Sequence, residues 1–111
     1  MIRVEIRTDS EGLIQEFTVK GHAGFDEYGK DIVCAAVSAV VQTAVIGLKK
    51  VAGIDPEHIQ SGGFLKCVLP DRMSEEENKA ASIIVQTMLA GLQSIKSGYP
   101  NLISIQERTV E

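Results

Sequence analysis

Between Ile32 and Leu48 almost every residue is apolar or small (IVCAAVSAVVQTAVIGL), with Ser38, Gln42 and Thr43 as the interruptions. This run reads as a helix from about Asp31 to Lys50. Asp31 stands at its start, Lys49 and Lys50 suit the negative end of its dipole, and Gly53 and Pro56 lie beyond its end. A helix with no wet face has to be covered on all sides. The polar interruptions make it a buried helix rather than a membrane span. A sheet can cover one side and a second helix another. A second copy of the chain is expected on the third, making a homodimer.

The rest of the sequence supplies those covers. Ile2, Val4 and Ile6 alternate with Arg3, Glu5 and Arg7, a strand with one polar face. The turn DSEG at 9 to 12 leads into a second strand from Leu13 to Lys20, with Leu13, Phe17 and Val19 on one side, which completes a hairpin. After the helix, EHIQSGGFLKCVLP holds two short strands around Gly62 and Gly63, a two-residue hairpin signal. Ser74 with Glu77 forms a capping box that opens a second helix. That helix carries Ala81, Ile84, Met88, Leu92 and Ile95 on one stripe and stops near Gly98 and Pro100. A last strand spans roughly Leu102 to Thr109. The order ββαββαβ, rich in hairpins, predicts an α+β fold over residues 1–111 as one domain: a small, mainly antiparallel sheet with two helices packed on one face.

Composition narrows the function classes. A net charge of −4, with two Tyr, three Phe and no Trp, is poor material for nucleic-acid binding, so no direct nucleic-acid partner is expected. The N-terminal stretch MIRVEIRTDS lacks the apolar core of a signal peptide, and two cysteines with no sign of secretion fit reduced thiols. A cytoplasmic protein without a membrane partner is the expectation.

The chemistry concentrates in GHAGFDEYGKDIVC, residues 21–34. Residues 24–31 match the phosphate-loop pattern G-x-x-x-x-G-K, but Asp31 stands where a magnesium-binding Ser or Thr is needed, and Asp26 and Glu27 would repel polyphosphate. A nucleotide-binding module is therefore the weakest alternative. A purely structural account makes the glycines turn formers, Asp31 a helix cap and Cys34 a buried apolar residue. His58 and Cys67 receive that account, since Cys67 alternates in register with Leu65 and Leu69. Nucleophilic catalysis is the third account. With Asp31 as cap, Cys34 lies in the first helical turn, where free N–H groups and the dipole stabilise a thiolate. His22, at the end of the second strand, completes a thiol–imidazole pair. The backbone N–H groups of Cys34 and Ala35 are candidates for an oxyanion hole. Gly21, Gly24 and Gly29 suit a substrate loop, expected to be loose over residues 24 to 30. A carboxylate beside a thiolate is electrostatically unfavourable, so Asp31 is expected to face the loop or His22 rather than the sulfur.

GHAGF followed by DIVCAAVSAVV resembles the ribosomal-processing cysteine proteases of the Prp (YsxB-like) family, and the likeness covers essentially the whole chain. The resemblance implies a cytoplasmic, homodimeric bacterial endopeptidase that needs no cofactor or metal. It would remove a short N-terminal extension from a large-subunit ribosomal protein precursor, the rpmA product, cutting after an aromatic-containing segment. It places the catalytic pair at His22 and Cys34, with Asp31 and Ser38 in supporting roles. A non-catalytic ribosome-assembly module remains the alternative, and it would keep its activity on Cys34→Ser.

Overall fold

The computed structural model describes residues 1–27 and 30–110. Strands β1 (Ile2–Thr8) and β2 (Ile14–Lys20) precede helix α1 (Ile32–Ile46). Strands β3 (Glu57–Ser61) and β4 (Phe64–Val68), helix α2 (Glu75–Gly98) and strand β5 (Ile103–Thr109) follow. The order is the expected ββαββαβ. A π-helical turn over Gly47–Val51 prolongs α1. The strands form one sheet in the order β3-β4-β2-β1-β5. Neighbours run antiparallel except β1 and β5, which run parallel with Ile2 opposite Ile103 and Thr8 opposite Thr109.

Each turn has a local cause. Asp9 closes the β1–β2 hairpin, its carboxylate accepting the N–H groups of Glu11 and Leu13 at 2.9 Å each. The register then steps from Arg7 opposite Glu16 to Thr8 opposite Ile14, so Gln15 is an extra residue. This β-bulge shifts the inward side by one position. The sequence alternation places Leu13 in the core; instead Ile14 is buried with Phe17, and Leu13 is half-buried. The Ser74–Glu77 capping box is present in both directions.

The core lies between the sheet and the helices. Ile2, Val4, Ile6, Phe17, Leu65, Cys67 and Ile103 from the strands meet Val33, Val37, Val41, Val45 and Leu48 from α1 and its extension, and Ala81, Val85, Met88 and Leu92 from α2. Ile84 and Ile95 flank the α2 stripe rather than fill it, while Val85 and Leu89 are buried. The other sheet face is polar, with Glu16 paired to both Arg7 and Lys66, and Glu5 to Arg108. The segment Ile32–Val51 is long and apolar enough to cross a bilayer, but one side of it belongs to this core. Its outward side is not covered by the described residues: Ile32 is 58% and Ile46 53% exposed, with Ala35 and Ala39 exposed between them.

Candidate active site

Asp31 organises the site. Its Oδ1 accepts the N–H groups of Val33 and Cys34, both at 3.0 Å, which caps α1. Its Oδ2 accepts Phe25 N–H at 2.8 Å and Asp26 N–H at 3.3 Å, which ties the preceding loop to the helix start. Asp31 is the buried charged residue of the described chain. Burial opposes its charge, but the four backbone N–H groups more than offset this and hold its carboxyl below the usual carboxylate range. Both oxygens thus serve backbone groups of the loop and helix. Of the two directions expected for Asp31, the loop or His22, the hydrogen bonds of Oδ2 run to the loop, while Oδ1 meets the Cys34 amide.

One expectation needs correction. Cys34 N–H is held by the Asp31 side chain and Ala35 N–H by the Asp31 carbonyl at 3.0 Å, so neither is a free oxyanion donor. The amide that does face the sulfur belongs to the loop: Ala23 N–H donates to Cys34 Sγ at 3.2 Å. The loop is also tied down in its first half, by Asp31 and by an edge-to-face contact of Phe25 with Tyr99, centroids 5.4 Å apart. These ties fall at Phe25 and Asp26, within the segment 24 to 30 expected to be loose. Gly29 and Tyr28 lie outside the described residues.

The glycines divide by role. Gly24 has φ 73° with open space around it, a turn position that needs only the backbone freedom. Gly21, at φ 97°, is a close approach rather than a hinge: a Cβ there would stand 2.4 Å from the Met1 carbonyl oxygen, and its N–H donates to Gly63 O at 2.8 Å.

His22 and Cys34 open on the same groove, about 1050 Å3, whose lining also includes Ala35, Ser38, Gly63 and Leu65. Ser38 sits one turn after Cys34 on this wall, and its Oγ accepts Gln42 Nε2 at 2.6 Å. The β2–β4 register, Lys20 opposite Phe64, carries the Gly62-Gly63 turn alongside His22. Among the described residues no cluster of three or more His, Cys, Asp or Glu side chains is placed to hold a metal ion.

The family model for cysteine protease Prp matches residues 1–104. This chain belongs to the Prp family. The ribosomal processing cysteine protease Prp of Bacillus subtilis is 32% identical over 107 residues, which is 95% of this chain and 96% of that protein. The Prp of Staphylococcus aureus is 38% identical over 102 residues, covering 89% and 92%. Two crystal structures of the essential ribosomal processing protease Prp from S. aureus share the fold. One, in complex with a covalently linked product peptide, has a TM-score of 0.86 at 34% identity over 96% of this chain and 99% of that one. The other, with a substrate peptide, has a TM-score of 0.81 at 32% identity over the same shares. As a Prp, the chain is a cysteine-type peptidase.

The two thiols of this Prp differ sharply in setting. Cys34 is partly exposed on the groove, whereas Cys67 is fully buried. Burial pushes the Cys67 thiol up to about 11, with the Lys49 cation partly opposing the rise. Iodoacetamide near neutral pH is accordingly expected to label Cys34 at least about tenfold faster than Cys67 in the native protein, followed by peptide mass mapping. Equal rates would count against an accessible nucleophile at Cys34.

Proposed function

We propose that this Prp removes the N-terminal extension of a large-subunit ribosomal protein precursor, the rpmA product, with Cys34 as nucleophile and His22 as its acid–base partner. The observation that carries this reading is the groove itself. It brings the thiol at the start of α1 and the imidazole at the end of β2 to one surface, while the second thiol is buried. The relatives crystallised with a substrate peptide and with a covalently linked product peptide support a peptide occupant.

In this mechanism Cys34 Sγ attacks the scissile carbonyl carbon as a thiolate, and the C–N bond breaks to leave a thioester. His22 gives a proton to the departing amine, then takes one from the water that hydrolyses the thioester and regenerates the thiol. The position of Cys34 in the first turn of α1 favours its negative charge. Ala23 N–H, aimed at the sulfur, is placed to stabilise negative charge there. Asp31 holds the loop that carries this amide at the helix start. Ser38 borders the groove beyond Cys34 and contributes to the substrate wall.

We further propose that a second copy of the chain covers the bare side of α1 around Ile32, Ala35, Ala39 and Ile46, and that the protein works in the cytoplasm. Incubation with the full-length precursor, with product masses read by spectrometry, tests the activity. One cut near the precursor's N-terminus is expected, and an uncut precursor would overturn the proposal. Sedimentation equilibrium tests the dimer.

A further inference from the structure

We propose that Gly63, in the β3–β4 turn, is a positioning residue for His22, forming a shelf on which the imidazole lies. This rests on the reading of His22 as the acid–base partner. Gly63 has φ 72°, so an L side chain is disfavoured there. A Cβ at Gly63 would stand 2.7 Å from His22 Nε2, 3.0 Å from Cε1 and 3.5 Å from Cδ2, in the space the ring edge already fills. The same residue anchors the backbone before His22, its carbonyl accepting Gly21 N–H at 2.8 Å. Ring and backbone of the Gly21-His22 segment are thus both referenced to one turn residue from a different hairpin. The His22 side chain is exposed, and the turn at Gly63 bounds the space open to its ring on one side.

Two other glycines separate this role from backbone strain. Gly12 and Gly53 have φ of 81° and 67°, and a Cβ at either meets nothing within 4 Å. Gly12→Ala, Gly53→Ala and Gly63→Ala therefore carry a similar left-handed penalty, but only the last strikes His22.

The experiment measures kcat, KM and melting temperature of the three variants, with two-dimensional NMR of the His22 ring. Gly12→Ala and Gly53→Ala are expected to melt somewhat lower while keeping kcat within about twofold of wild type. Gly63→Ala is expected to lose at least about tenfold in kcat, with shifted His22 ring signals and an altered acidic or basic limb of its pH–rate profile. Turnover of Gly63→Ala no lower than that of the other two would overturn the proposal. A nuclear Overhauser effect between a Gly63 Hα and the His22 ring in the wild-type protein is the second arm, independent of whether the variant folds, and its absence would also overturn it. Wild-type protein that cleaves no precursor would sink the protease reading instead, while the ring contact would still report on the shelf.

Discussion

Replacing Cys34 or His22 by Ala is expected to lower precursor cleavage by at least about 10³-fold with the fold retained, because in the proposed mechanism a nucleophile and its proton partner act as a unit. His22 is exposed and Cys34 only partly buried at the edge of the core, and the Asp31 cap that fixes the start of α1 uses backbone N–H groups that both variants keep. Cys67→Ala is the matched control. It removes a fully buried sulfur beside Phe17 in the β2–β4 register, so it should melt lower yet cleave at close to the wild-type rate. The measurement is initial rate on the precursor together with the thermal transition of each variant. Wild-type turnover by Cys34→Ala would remove the thiol from the mechanism.

The second large effect concerns Asp31, whose two oxygens can be separated chemically. In Asp31→Asn the amide oxygen can still cap α1, since Asn caps as well as Asp, but its NH2 faces the Phe25 and Asp26 N–H groups. The melting temperature should fall somewhat, since the charge-dependent part of the carboxylate's contribution is gone and two N–H groups lose their acceptor, while kcat falls by about 10²-fold as the loop bearing Ala23 and His22 loses its tether. Asp31→Ala loses both roles and should also melt roughly 5 °C lower. Hydrogen exchange at the Phe25 and Asp26 amides reads the tether directly and should speed up in both variants. If Asp31→Asn kept wild-type kcat, the tether would be irrelevant to catalysis. The pH dependence has a definite sign. The folded carboxyl titrates below its ordinary value of 3.8, so its contribution is fully present above that value and is lost as pH falls through the lowered one. Wild-type protein should lose this part of its stability on acidification below about pH 4, and Asp31→Asn should not.

The sequence was most legible where a single period or cap decides the outcome. The alternation of Ile2, Val4 and Ile6, the Gly62-Gly63 turn, the Ser74–Glu77 box and the Asp31 cap all stand where the residues place them. Leu13 was misplaced because one extra residue, Gln15, inverts the inward side, and a bulge leaves no mark in a two-residue period. The parallel pairing of β5 was not legible either, since it depends on how α2 returns the chain rather than on any turn. At the site, motif and side-chain chemistry point to His22 and Cys34, and both line one groove. The Ala23 N–H contact with the sulfur and the closeness of Gly63 to the His22 ring were not legible, because one involves a backbone group and the other a missing side chain. The oxyanion assignment to Cys34 and Ala35 failed for a related reason: a capping carboxylate and its own carbonyl had already claimed those amides.

The parallel β1–β5 pair has a kinetic consequence. Both hairpins, β1–β2 and β3–β4, close over a few residues and can form within microseconds, whereas Ile2 meets Ile103 only after a chain of about a hundred residues has been brought round. During synthesis β1 is therefore made first and satisfied last. Until β5 docks, its outer edge offers a row of free backbone donors and acceptors, flanked on one face by Ile2, Val4 and Ile6. The final docking step is then expected to govern the folding rate. Nascent chains arrested before residue 103 would be the aggregation-prone species, open to strand exchange with one another through β1.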